Sequence, residues 1–272
     1  LDTAQSRKVA KAMKKLTLRK LDLAIALVLA LIFFSSPFLA ASEYALRQPL
    51  EGGYGFKNFI WFLEDPEFGY YLLMSFGLAL ASAVILMVLL VPIVIWLNIS
   101  GSKFRSAMAF ISLLPLVIPV VALSIGAQNS MPEWAQSERM ILSFFYAILA
   151  LPYVYRTLDN GLSSIPLKSL TEASRSLGAN WFYTVWKVVA PSVRTAVVGS
   201  LFMTVALSLG EFTLTSLLHW DTFTTWVTVL AQGNLLGSVA LSVFSLLAVI
   251  LVLLIIGAFV RPTKNSVVME EN

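Results

Sequence analysis

From Phe68 to Leu97 the chain carries not one charged side chain. Wound as a helix, such a run is long enough to cross the hydrocarbon core of a bilayer with tilt, since about 20 apolar residues suffice. Further apolar runs cover Leu21 to Ala41, about Ala107 to Ala127, about Met140 to Leu158, about Val193 to Leu218 and about Leu235 to Val260. Within hydrocarbon every backbone N–H and C=O must find a partner inside the protein, so only helices or closed barrels can span. A barrel would show short alternating segments, and none are present. The pattern predicts an all-α membrane protein with six spanning helices. Composition agrees: the 272 residues are 58% hydrophobic and 12% charged, with a mean hydropathy of +0.82, more apolar than a soluble chain of this length needs.

The charges choose an orientation. Arg7, Lys8, Lys11, Lys14, Lys15, Arg19 and Lys20 precede the first run, and Lys103, Arg105, the stretch from Arg156 to Arg194, Arg261 and Lys264 fall on the same side of a six-span layout. Only Arg47, Lys57 and Arg139 fall on the other, so both termini are expected in the cytoplasm. The opposite loops carry Glu43, Glu51, Glu64, Asp65, Glu67, Glu133, Glu138 and Asp221. A basic start, an apolar middle and small Ala40 and Ala41 also describe a cleaved signal, but the run exceeds the usual apolar core of one, and an uncleaved span is expected. The division that follows is a basic cytoplasmic segment over 1–20, a transmembrane domain over 21–260 and a cytoplasmic tail over 261–272. The chain has no Cys and one His, which removes disulfides, a Cys-ligated metal and a His-rich metal site. Its net charge of +4 reads as asymmetry about a membrane rather than affinity for nucleic acid.

The longest cytoplasmic loop, from about Asp159 to Ser192, is not a linker. Leu170, Ala173 and Leu177 recur at helical spacing, Gly178 interrupts, and Trp181, Val185, Trp186 and Val189 recur again. Two short helices meeting at Gly178 are expected, with Pro166 before the first and Pro191 after the second as punctuation. An amphipathic segment lying on the inner leaflet with Trp181 and Trp186 as anchors would show the same spacing.

Glu172, Ala173, then Gly178, then an apolar pair and Pro191, ahead of the penultimate span, resemble the EAA loop of binding-protein-dependent ABC importer permeases. The resemblance extends from Phe68 to Val260. It implies the type I importer permease fold, a bacterial inner-membrane location, and a loop that inserts into a groove of an ATP-hydrolysing subunit. By that resemblance Glu172, Ala173, Ser174, Gly178 and Ala179 are the coupling residues. The chain departs from the pattern at Ser174, where alanine is usual, and at Ala190, where leucine is usual. The implied partners are two ATP-binding subunits, a second permease, identical or homologous, and an extracytoplasmic substrate-binding protein. ATP and its magnesium would be bound by the partner, with no cofactor in this chain. In GLSSIPLKS, Pro166 and Leu167 stand where a phosphate loop needs its second glycine, so no nucleotide site is expected.

Three residues are candidates for the pathway or gate. Pro115 and Pro119 lie one turn apart in the third run and should bend or loosen it, as either a static kink or part of a pore lining. Glu211 lies in the fifth run, where an unpaired carboxylate at the bilayer centre costs roughly 3 kcal/mol. It would either contact substrate or gate, or make a buried structural hydrogen bond near the outer end. His219, Trp220 and Asp221 fall at the predicted outer interface. Sugar permeases similar to this family tend to have Asp before the loop glycine, where this chain has Leu177. Its general run resembles the spermidine and putrescine permeases, so a polyamine is the expected substrate, with ferric iron, thiamine or an organophosphonate as alternatives. A secondary transporter would need coupling-ion ligands in broken spans, usually within an inverted repeat, and an intramembrane enzyme would need an assembled catalytic constellation. The sequence offers neither a repeat nor such a constellation.

Overall fold

The computed structural model describes residues 2–49 and 52–259, with side chains over 22–49 and 52–251. Among these residues the only extended pairing is an isolated antiparallel bridge between Arg47 and Tyr54. The helices are α1 (Asp2–Leu46), α2 (Lys57–Leu63), α3 (Pro66–Ser100), α4 (Phe104–Val117), α5 (Val120–Ser130), α6 (Glu133–Ser137) and α7 (Ile141–Ser163). They are followed by α8 (Leu167–Ser176), α9 (Trp181–Tyr183), a π-helical turn (Thr184–Val189), α10 (Ala190–Leu209), α11 (Thr213–Leu217), α12 (Phe223–Gly233) and α13 (Leu235–Phe259). Four helical stretches of the described residues, including Trp181–Leu217 taken as one, are long and apolar enough to cross a membrane, five if α4 and α5 form one bent span. The 25-residue α13 carries the sixth apolar run to Phe259. The chain divides into two compact units, Leu1–Leu63 with Ala231–Leu247, and Glu64–Leu230 with Ala248–Asn272.

In the first unit, α1 presents Leu27, Leu31, Phe33, Phe34 and Leu39 to its surroundings. A helix so apolar and so uncovered is matched to lipid rather than water. At its end Glu43 pairs with Arg47 at 3.0 Å and accepts the Tyr54 hydroxyl at 2.7 Å, while Asn58 donates to the Ala45 carbonyl at 2.7 Å. Phe62 meets Phe244 with ring centroids 5.4 Å apart, and a Cβ on Gly237 would come within 2.3 Å of the Trp61 ring. Together these contacts seat α2 on the first turns of α13.

The second unit is a bundle of α3, α7 and α10, each packed on the other two, with α4 against α7. Its α3 starts where Asp65 accepts the Glu67 N–H at 2.9 Å with Pro66 in the first turn, and stops at Gly101 in the left-handed region at φ 60°. On α7, Leu142, Tyr146, Ala150, Val154, Leu158 and Leu162 recur every four residues and are all buried. The last four share a core with Leu86, Leu90 and Val94 of α3 and Val193 of α10, while Leu142 and Tyr146 join Leu78, Ala127 and Leu214. In lipid the hydrophobic effect does not separate helix from helix, so close backbone approach through small residues has to hold them. Ala79, Ser82 and Ala83 on α3, Ala147 and Ala150 on α7, and Ser200 on α10 supply it. Hydroxyls are absorbed locally, as where Thr204 donates to the Ser200 carbonyl at 2.9 Å.

The α1 backbone is continuously helical from Asp2 across residue 20, and the expected tail over 261–272 lies outside the described residues. Several other expectations change. The third run is two helices meeting at 86°, a sharper break than one kinked helix. Its two prolines behave differently: Pro115 sits inside α4, whereas Pro119 ends it by forcing Ile118 into extended backbone at ψ 117°, as the residue before proline prefers. Pro191 does not close the coupling loop, because Trp181–Leu217 runs on as one helical stretch. There the Ala190 N–H reaches back five residues to the Val185 carbonyl, a wider turn that gives the proline ring room an α turn would deny it. The fifth stretch reaches Leu217, close to the expected Leu218, but it is interrupted between Leu209 and Thr213, and Glu211 lies in that interruption.

One close approach within this bundle is at Gly161 on α7, where an added Cβ would stand 2.5 Å from the Ala196 Cβ on α10. Gly161→Leu is expected to destabilise the bundle by about 1–3 kcal/mol through overpacking, read as a lower thermal midpoint in detergent. Adding Ala196→Gly should recover part of the loss.

Candidate functional site

Helix α8 has two unlike faces. Leu167 and Thr171 point inward and are buried, Leu167 in the same core as Leu158, Leu162, Val189 and Val193. Glu172, Ala173, Arg175 and Ser176 point outward and are exposed. The helix stops at Gly178, whose φ of 86° is open to glycine and strained for other residues. Its N–H donates to the Arg175 carbonyl at 3.0 Å and the Ala179 N–H to the Ser174 carbonyl at 3.2 Å, which satisfies the last carbonyls of the helix. The reversal leaves Leu177 89% exposed at the tip. Three residues on, Asn180 accepts the Tyr183 N–H at 2.7 Å and starts the next helical stretch. The two arms are tied where the Ser174 and Thr184 hydroxyls meet at 3.0 Å, so the serine that departs from the family pattern makes a bond an alanine could not. All five expected coupling residues therefore lie on one projection, Glu172, Ala173 and Gly178 exposed and Ser174 and Ala179 half-buried.

Trp181 and Trp186 do not project with them. With Trp96 and Ile99 of α3 and Val193 and Val197 of α10 they line an apolar groove of about 1050 Å³ on the chain's own surface.

The three pathway candidates converge. Pro115 and Pro119 from the α4–α5 break, Tyr146 and Tyr153 from α7, and Ser208, Glu211 and Phe212 from the α10–α11 break line one cavity of about 450 Å³. Both interruptions of helical backbone thus open onto the same space, the arrangement in which broken backbone is tolerated at membrane depth. The Glu211 carboxylate accepts the Leu214 N–H at 2.9 Å and the Thr215 N–H at 3.4 Å, and its main-chain carbonyl accepts the Thr224 hydroxyl at 2.8 Å. An anion at the start of α11 satisfies donors that a helix leaves open. Leu214, which it positions, is fully buried beside Leu78, Leu142 and Tyr146. His219 ends α11 in the left-handed region at φ 58°, in the place a glycine usually takes, with the Trp220 N–H donating to the Thr215 carbonyl at 3.0 Å.

No known family profile matches the chain. It is 24% identical over 241 residues to a permease protein of Salmonella paratyphi A named for a 2-aminoethylphosphonate transport system, covering 85% of this chain and 90% of that one. An Fe(3+)-transport system permease protein of Haemophilus influenzae is 30% identical over 125 residues, 46% of this chain but 23% of the relative's length. A protein of Haloferax volcanii named as a molybdenum ABC transporter permease is 25% identical over 158 residues, 53% of this chain and 58% of that one. The chain thus has an all-helical membrane permease fold, and its relatives support the ABC transporter permease class.

Two expected outcomes follow from the geometry. Gly178→Val, at a φ that costs an ordinary residue roughly 1–2 kcal/mol, should open the loop to proteolysis between Leu177 and Asn180, while Gly178→Asn should leave it resistant. Glu211→Ala should speed amide hydrogen exchange at Leu214 and Thr215, whose acceptor it removes, whereas Glu211→Gln keeps one oxygen and should retain most of the protection.

Proposed function

We propose that the chain is the permease subunit of an ATP-driven importer, one half of a two-permease pathway that a substrate-binding protein feeds from outside and two ATPase subunits drive from inside. The observation that carries the reading is the division of α8, with Leu167 and Thr171 locked into the bundle and Glu172, Ala173 and Leu177 left uncovered. A large apolar side chain held in water by a rigid turn is a feature of surfaces that meet a partner. The distribution of basic residues supports cytoplasmic termini and a projection on the ATPase side. The cavity at the two helix breaks supports a pathway role for Pro115, Pro119 and Glu211, with Glu211 acting first as the cap that holds α11 in place.

A polyamine substrate has no support among these relatives, whose names point to iron(III), molybdenum and 2-aminoethylphosphonate. The substrate proposal therefore moves to the alternatives of an organophosphonate or ferric iron, and the relative covering 85% of the chain favours the phosphonate. A secondary transporter, the rival from another class, would work without an ATPase.

The test is co-purification. The tagged chain, isolated from its own membranes, is expected to retain a stoichiometric ATP-hydrolysing subunit, and Glu172→Lys or Leu177→Asp is expected to release it while the permease stays folded. Retention and full transport by both variants would remove the coupling assignment. Uptake of labelled 2-aminoethylphosphonate, ferric iron, molybdate and putrescine by cells with and without the chain then separates the substrates.

A further inference from the structure

The α8 platform and the cavity lie in different parts of the second unit, and α8 touches neither broken segment in any of the contacts described above. The second arm of the platform runs through α10 to the Gly210–Phe212 break, and the other break, at Ile118–Pro119, is tied to the platform's end of α7 by a charged pair at the start of α4. Arg105, in the first turn of α4, meets Asp159 near the end of α7: the guanidinium Nε lies 2.9 Å and Nη2 2.8 Å from the same carboxylate oxygen. The guanidinium also donates to the Ser163 hydroxyl, which itself donates to the Asp159 carbonyl. The main chain is held as well, since the fully buried Tyr155 donates its hydroxyl to the Arg105 carbonyl at 3.3 Å. Tyr155, Asp159 and Ser163 are successive residues of one face of α7, spaced every four, so the first turn of α4 is hydrogen-bonded over two turns of α7, while Met108 and Ala109 add apolar packing further along α4.

Helix electrostatics do not account for these charges. A cation in the first turn of a helix opposes the macrodipole, and an anion one turn from the end of another does the same. Each charge is acceptable because of the other, and the Asp159 side chain is only 15% exposed, so screening by water is limited. The position is mechanical in consequence. Ser163 is the last residue of α7, and α8 starts at Leu167, packed into the same core as Leu158 and Leu162. At its far end, about 21 Å away by helix rise, α4 terminates at the Ile118–Pro119 break that lines the cavity.

We propose that the Arg105–Asp159 pair, with Tyr155 and Ser163, is the joint through which a displacement of the α8 platform reaches the α4–α5 break. The proposal rests on α8 being the platform for an ATPase. Arg105 and Asp159 are positioning residues in it, with no contact to substrate or ATPase. Breaking the pair leaves both ends of the device intact and removes the transmission between them.

The absence of cysteine in the chain makes the test direct. An Ile118→Cys reporter in the purified assembly is labelled with N-ethylmaleimide, with and without ATP and vanadate, in the otherwise unaltered chain, in Arg105→Ala, in Asp159→Ala and in the exchanged pair Arg105→Asp with Asp159→Arg. The nucleotide-dependent change in labelling rate is expected to fall about fivefold or more in either single variant, the lower range of a coupling between sites, and to return in the exchanged pair. Retention of the ATPase subunit should be the same in all four. A response that survives both single variants overturns the joint, as does an exchanged pair that is monodisperse on size exclusion yet unresponsive. Failure of the platform reading looks different, because the unaltered chain then retains no ATPase. The joint is in that case read on the chain alone, where Asp159→Ala must still change Ile118→Cys labelling, and an unchanged rate overturns it.

Discussion

In hydrocarbon a backbone N–H or C=O has no water to turn to, and almost everything in this chain follows from that. The long helices are its direct expression. So is the placement of the exceptions: helical backbone is given up within the bundle at Ile118–Pro119 and at Gly210–Phe212, and both breaks face one cavity. At the second of them a carboxylate replaces the missing backbone partners, with Glu211 accepting the N–H groups of Leu214 and Thr215. A charge that would be costly alone in a bilayer is retained because it completes the hydrogen bonding of the chain itself.

The same accounting shapes the α8 projection, whose outer face is uncovered. Its helix can end in a glycine turn and leave Leu177 uncovered, because the buried side, Leu167, is anchored in the bundle core. Rigidity on one face and exposure on the other are what the proposed coupling role requires, since packed cores transmit a displacement rather than absorb it. The π turn that carries the second arm past Pro191 into α10 extends that rigidity, since no flexible linker separates the projection from the span behind it.

Much of this was legible in residues. The apolar runs foretold the helices, and the spacing around Gly178 foretold a reversal there, because a left-handed turn has few residues to choose from. Pro115, Pro119 and Glu211 stood out singly, each for a local reason, and nothing local could say that they share a cavity. The sense of Pro191 was misread for the same cause. Proline is a stop signal by default, and whether a helix widens to carry it depends on the packing of Val189 and Val193, which no window of sequence contains. Trp181 and Trp186 were open between partner, lipid and the chain's own helices, and it took Trp96, 85 residues earlier than Trp181, to make their groove.

The sequence by itself determined the class of structure, the position of the apolar runs and the position of the turn at Gly178, because these depend on periodicity, length and the backbone freedom of single residues. Only the tertiary structure decided which helix ends are joined. Arg105 and Asp159 lie 54 positions apart and look like ordinary flanking charges, yet the packing of α4 on α7 brings them to 2.8 Å and makes them one another's partner. Helix pairing in lipid is chosen by the fit of small side chains across whole faces, and that is a property of two surfaces meeting rather than of either strand of sequence alone.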